Sequence, residues 1–278
     1  MPQLKSSSSP LFFRKDQQGL TLVELLIAMA LSLLVVMAAV TALTFSRQGF
    51  RAVDSSAQLR DNARFAESII RRIVLQAGFL NTQYAVSMGS EFKTTTDLEE
   101  PNIKGFDTAK YTEDLATGVT VTSPSNGLNG SDMLIARYQS GDTNSDTNQT
   151  MINCAGGTVP APFNGVERMA SVFHVNNSGT TGEPTLMCSF NSFNGSTWRW
   201  NSQPLIDGVE TLQILYGVDG VTAGAAPTAA ETIIPRQYLR ASQLIVSGNE
   251  TATFANWKRV RSIRVGMVLR GPPGSAPE

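Results

Sequence analysis

Side chains that do chemistry are scarce in this chain. One histidine, His174, and two cysteines, Cys154 and Cys188, are spread through 278 residues. Structural zinc sites take four Cys or His ligands and catalytic ones three, so this inventory, with its cysteines as a candidate pair, supplies no classical zinc site. His174 lies in the strand-like run VFHV, with no Ser or Cys nucleophile motif beside it, and reads as a structural residue. No glycine-rich phosphate loop follows a strand. Asp142, Asn144 and Asp146 have the D-x-N-x-D spacing of a calcium loop, but Thr147 and Asn153 stand where that loop needs its glycine and its bidentate glutamate. An enzyme has no constellation to rest on, and neither a cofactor nor a metal is expected.

Charge is scarce as well. Charged residues make up 16% of the chain and the formal net charge is -1, so nothing in the overall balance points to nucleic acid. Asn, Ser, Thr and Gly are plentiful instead, a composition that suits a loop-rich β domain outside the cytoplasm. In an exported domain, Cys154 and Cys188 are most simply a disulfide.

Helix breakers are missing over a long stretch. No proline occurs between Leu20 and Pro101, and Gly49 is the only glycine between Leu20 and Gly78. One helix can therefore run from about residue 21 to 77, with Gly78 as its stop. Residues 25–45 carry no charge over 21 positions, a length of roughly 31 Å as a helix, which matches a bilayer core. Lys5, Arg14 and Lys15 precede this run against a single acid, Asp16. Such a flank stays cytoplasmic and sends the rest of the chain out. A secretory signal peptide would have a shorter apolar run and a closely following A-x-A-like site. A plain signal anchor explains the length but leaves Glu24, at the edge of the run, without a use.

The string Gly19-Leu20-Thr21-Leu22-Val23-Glu24-Leu25-Leu26-Ile27-Ala28 closely resembles the prepilin signal of type IV pilins and type II secretion pseudopilins. The resemblance implies cleavage directly after Gly19 by a membrane prepilin peptidase, followed by methylation of the new terminus. That terminus is usually Phe and is Leu20 here. It also implies that Glu24 meets the N-terminal amine of a neighbouring subunit and sets the register between helices. A buried carboxylate and a buried amine are each costly alone and tolerable as a pair. Many major pilins carry a helix-breaking proline within the membrane segment, where this chain has Thr41.

Beyond residue 45 the helix changes character. Leu59, Ala63, Ala66, Ile70, Ile73 and Ala77 form one apolar stripe, and Arg60, Asp61, Arg64, Glu67, Arg71 and Arg72 lie off it. The stripe is expected to pack on a sheet, with the arginines as a solvated face. Strands are expected at 133–138, 171–175, 185–190, 211–218 and 260–269, with loops at 139–150 and 220–231 and mixed strand and loop over 81–130.

The run LIDGVETLQILYGVDG (205–220), Trp257-Lys258-Arg259-Val260, the run VRSIRVGMVLRG (260–271) and Cys154 with a later Cys188 in PTLMCSF resemble the PilW-type minor pilins. The implied fold is α+β and pilin-like: a long N-terminal helix packed on an antiparallel β-sheet head. The expected divisions are a leader (1–19), a transmembrane and assembly half-helix (20–46), an amphipathic half (47–78), a β-rich periplasmic head (79–270) and a disordered tail (271–278). The implied role is a minor pilin in initiation or at the tip of a type IV pilus. It would sit in the bacterial inner membrane with its leader in the cytoplasm, and later in the fibre. The implied partners are prepilin peptidase, other minor pilins, the major pilin and the inner-membrane assembly platform. A J-type pseudopilin of type II secretion has a similar body plan, and a membrane-anchored periplasmic enzyme or binding protein is a more distant reading.

Overall fold

The computed structural model describes residues 19, 21–81, 100–111, 126–141, 151–158, 168–193, 198–228 and 234–272. The chain divides into two compact units between Val53 and Asp54. Helix α1, Leu22–Gln76, crosses that division as 55 continuous helical residues, or roughly 83 Å at the standard rise. Where the pilin proline would stand, Thr41 leaves the helix unbroken. Its Oγ1 donates to the carbonyls of Met37 and Ala38 at 3.0 and 2.8 Å.

The second unit begins with the amphipathic part of α1. The expected stripe is on the inside: Ala66, Ile70 and Ile73 are buried, and Leu59, Ala63 and Ala77 half-buried, while all six charged residues off the stripe are exposed. The helix ends as the sequence indicates. Gly78 adopts φ +84°, a left-handed conformation that glycine takes without strain, and its N–H passes to the carbonyl of Arg137 at 2.8 Å.

Among the described residues eight strands follow: β1 Ile103–Phe106, β2 Met133–Tyr138, β3 Met169–Asn177, β4 Pro184–Phe193, β5 Trp198–Asp207, β6 Val209–Val218, β7 Gln237–Leu239 and β8 Val260–Leu269. A short helix α2, Glu250–Trp257, precedes β8. All pairings are antiparallel, and the strands form two sheets, in the orders β1-β2-β3-β4-β5 and β7-β6-β8. The antiparallel head expected from the sequence is thus built from two sheets. The switch lies at Gly208 between β5 and β6, where φ is +80° and an added Cβ would stand 2.4 Å from the carbonyl oxygen of Arg270. A side chain there would block the crossing.

The main core lies between the α1 stripe and the sheets. It takes Leu134, Ala136 and Tyr138 from β2, Phe173 and Val175 from β3, and Leu212, Ile214 and Tyr216 from β6. A second cluster lies on the opposite face of the larger sheet, built from Met133, Ile135, Ala170, Val172 and Trp200. Strand β2 is buried on both faces, which is why it reads as an apolar run, with Arg137 its one charged residue, rather than as an alternation.

Candidate functional site

Functional interest concentrates in the first turn of α1. Thr21 sits before the helix and Glu24 three residues on. The Thr21 N–H and Oγ1–H both donate to Glu24 Oε2 at 3.0 Å, and the Glu24 N–H donates to Thr21 Oγ1 at 3.3 Å. These reciprocal bonds form a capping box, which satisfies helix donors that otherwise have no partner. The T-x-x-E spacing was visible in the sequence, yet Thr21 was not singled out there. Gly19 is exposed with no atom near its Cα that a side chain would strike, and Leu20 lies outside the described residues.

After Glu24 the helix shows only apolar and small polar side chains as far as Phe45. Its large apolar side chains between Leu22 and Phe50 are each 52–74% exposed. This is the one helix among the described residues long and apolar enough to cross a membrane. Glu24 is the single charge near its start.

In the head, Cys154 and Cys188 form a disulfide with Cα atoms 5.7 Å apart. The bridge fastens the 151–158 segment to β4, and both cysteines are buried. Hydrogen bonds hold the same segment from two sides. Tyr138 Oη donates to the Ile152 carbonyl at 3.0 Å, and the Cys154 N–H donates to Ser171 Oγ at 3.1 Å. From the last turn of α1, Gln76 Nε2 donates to the Ile152 carbonyl at 3.0 Å and Gln76 Oε1 accepts from the Ile152 N–H at 3.1 Å. Gln76 carries no motif, and only the fold brings it to Ile152.

His174 meets a serine: Nε2 lies 2.8 Å from Ser189 Oγ, which is 2.6 Å from Ser202 Oγ. The arrangement does not make a catalytic pair. The ring is 1% exposed and stacked on Tyr111, and its Nδ1 has no hydrogen-bond partner to orient it. Burial lowers its pKa from 6.5 to about 3, so it is neutral and too weak a base for this work near pH 7. The calcium-like positions Asp142, Asn144, Asp146 and Thr147 lie outside the described residues. Asn153 spends its Oδ1 on the N–H groups of Ala155 and Gly157 at 3.0 and 2.9 Å.

Two family models match the chain at opposite ends. Residues 172–278 match that of the type IV pilus-assembly protein W, from within β3 to the end of the chain. Residues 14–40 match the prokaryotic N-terminal methylation motif, a span that includes Gly19, Leu20 and Glu24. Cys188 falls inside the first match and Cys154 outside both. No curated protein and no solved structure matches the chain. The families found are structural, and they imply contact with other pilus components in a membrane context. The exposed apolar helix and the bridged β head fit both matches, which together support a prepilin-like, type IV pilus-related pilin of the PilW type.

Proposed function

We propose that this chain is a minor pilin of the initiation or tip complex of a type IV pilus. The observation that carries the reading is the bare apolar helix from Leu22, interrupted only by a capped carboxylate at its start. Unburied surface of that extent needs lipid first and the helices of other subunits later. Residues 1–19 are the cytoplasmic leader, residues 20–46 the inner-membrane and fibre segment, and residues 47–78 the part that carries the periplasmic head of 79–270, with 271–278 as its tail. Prepilin peptidase cuts after Gly19, and the amine of Leu20 becomes the methylated terminus. The assembly platform then passes the helix into contact with other minor pilins and the major pilin. The task is structural, not catalytic. The match to the pilus-assembly protein W over the last third of the chain supports a pilus over a type II secretion pseudopilus.

Within this reading Glu24 has two tasks in sequence. In the free subunit its carboxylate caps the helix through Thr21. In the fibre it faces the Leu20 amine of a neighbour and fixes the register. Three variants separate the tasks. Gln keeps capping ability at this position and loses the charge, so Glu24→Gln keeps the helix start and loses the register. Thr21→Val loses the two hydroxyl bonds of the cap and keeps the charge. Glu24→Ala loses both. Leader cleavage should persist in all three, with mass spectrometry giving a chain that starts at Leu20. Recovery in sheared fibres relative to membranes should fall strongly for Gln and Ala and mildly for Val. A chain starting at Met1 in peptidase-positive cells would sink the whole reading. Wild-type recovery of both Gln and Ala variants would remove Glu24 as the register residue. Recovery with a secretion apparatus and not with pili would assign the chain to type II secretion.

A further inference from the structure

A sheet edge is an open row of backbone donors and acceptors that another chain can join. Among the described residues the two sheets end in four edge strands, and two of these, β1 and β7, have four and three residues. The long edges are β5 and β8, with ten residues each. Strand β5 carries Pro204 opposite a register shift, and proline cannot donate to an added ladder. Strand β8, VRSIRVGMVL, has no proline and, among the described residues, no second neighbour in its sheet.

The register shows which of its groups face outward. On β6, Leu212 and Ile214 turn their N–H groups away from β8, onto Ser131 Oγ at 3.3 Å and Asp132 Oδ2 at 2.8 Å. By alternation Thr211, Gln213 and Leu215 face β8, opposite Val268, Gly266 and Arg264. The backbone groups of Ile263, Val265 and Met267 therefore point to the open edge. Beside that edge runs a groove of about 530 Å³ between α1 and β8, floored by Ile70, Val74, Ile263, Val265 and Met267. Leu75, 75% exposed, stands at its rim. The groove's charged residues are Glu67, Arg71 and Arg264, and among the described residues none of them is in an ion pair. Arg264 rests on the Tyr238 ring with its guanidinium carbon 4.3 Å from the centroid, and Arg261 lies three residues before it on the same strand.

We propose that the free edge of β8 and the groove beside it receive an extended segment of a different pilin-type subunit, added as a further strand, with acidic residues flanking apolar ones. This rests on the pilus-assembly reading above. The open backbone row supplies affinity, and the groove selects apolar side chains at alternate positions. The cationic rim decides between partners. A second copy would bring a strand of the same charge to the edge, whereas an acidic strand is attracted.

Amide exchange of the full chain tests this, alone in membranes and co-expressed with the other pilin-type subunits of its source bacterium. In the complex, exchange at Ile263, Val265 and Met267 should slow by roughly tenfold or more. Val265→Pro removes the middle outward donor and no ladder bond to β6, and it should reduce recovery of the complex about tenfold. Arg71→Glu with Arg264→Glu changes only exposed side chains, so it should fold normally and give a similar loss. The proposal is overturned if the complex forms and the three amides exchange as fast as before, and the pilus reading then stands. It is overturned equally if the added strand comes from a second copy of this chain. If no pilin-type subunit associates at all, the pilus reading falls with it.

Discussion

Removing the disulfide should destabilise the head through its unfolded state. Cys154 and Cys188 are 34 positions apart, and closing a loop of that length is worth about 4 kcal/mol in the chain-entropy relation. The double variant Cys154→Ala/Cys188→Ala avoids leaving a buried thiol or hydroxyl alone. In the folded head the 151–158 segment keeps its other ties, the two bonds from Gln76 and those from Tyr138 and to Ser171. The native arrangement should survive, while the unbridged chain expands further when unfolded. At roughly 2–4 °C per kcal/mol for a domain of this size, the midpoint of thermal unfolding should drop by about 10 °C. The urea dependence should steepen as well, because more surface is exposed on unfolding. The assay is thermal and urea unfolding of the detergent-solubilised full chain followed by near-UV circular dichroism, with limited proteolysis at a fixed temperature. Equal midpoints for wild type and variant, or alkylation of Cys154 and Cys188 in the oxidised native protein, would refute the reasoning. A lower midpoint with an unchanged urea slope would place the contribution in native contacts instead.

His174 makes stability depend on pH. Its folded pKa, about 3, lies below its ordinary 6.5, so the unfolded chain binds the proton first and stability falls as pH drops from 6.5 toward 3. Burial raises the pKa of Asp132, which acts in the opposite sense, so the informative quantity is the difference between wild type and His174→Gln. The glutamine variant should lose part of the acid sensitivity between pH 6.5 and 4.5, and unchanged pH profiles of the unfolding midpoint would contradict this. Gly105→Ala should destabilise the head by about 3 kcal/mol or more, since its Cβ would stand 1.7 Å from the Tyr216 hydroxyl at the meeting of the two sheets. Wild-type urea midpoints for that variant would refute the contact. Tyr216→Phe removes a buried hydroxyl that has no hydrogen-bond partner, so stability should hold or rise by about 1 kcal/mol. A clear fall in the urea midpoint would show that the hydroxyl is bonded after all.

Much of this fold was legible wherever a pattern was local and periodic. The absence of breakers between Leu20 and Gly78 gave the helix almost to the residue, and its stripe gave the face that packs. Strands β2 and β8 stood out because one is apolar at every position but Arg137 and the other alternates. Strand β5 did not, because WRWNSQPLID is polar at half its positions and contains Pro204, features of an edge strand and of a loop alike. Helix α2 was missed for a related reason. Its eight residues are short, and its start depends on the Asn249 side chain accepting from the Ala252 N–H at 2.9 Å, an arrangement that is common in loops. The split into two sheets depends on what a side chain at position 208 would strike, which no local pattern carries. At the helix start, the T-x-x-E spacing of Thr21 and Glu24 is a cap as well as the site of a charge.

The parts of the head found through the fold and those found through the sequence meet at Ile152. A subunit held in a fibre by its N-terminal helix must pass load from that helix to its head. The buried residues Ala66, Ile70 and Ile73 do so through non-directional packing, which can slide. Gln76 adds two directional bonds to the Ile152 backbone at the end of the same helix. Two residues further on, Cys154 is joined covalently to Cys188 in β4, which lies between β3 and β5 in the larger sheet. Beside the bond from the Gly78 N–H to the Arg137 carbonyl, this second route from helix to sheet is two hydrogen bonds followed by a covalent link, and its weakest step is at Gln76. Gln76→Leu keeps the side chain's bulk and removes both bonds. It should leave leader cleavage and disulfide formation unchanged and make residues 151–158 exchange their amides faster, with Ile152 the most affected. If Ile152 exchanges at the wild-type rate in that variant, Tyr138, Ser171 and the disulfide hold the segment, and the helix joins the head through its apolar stripe and the Gly78 N–H.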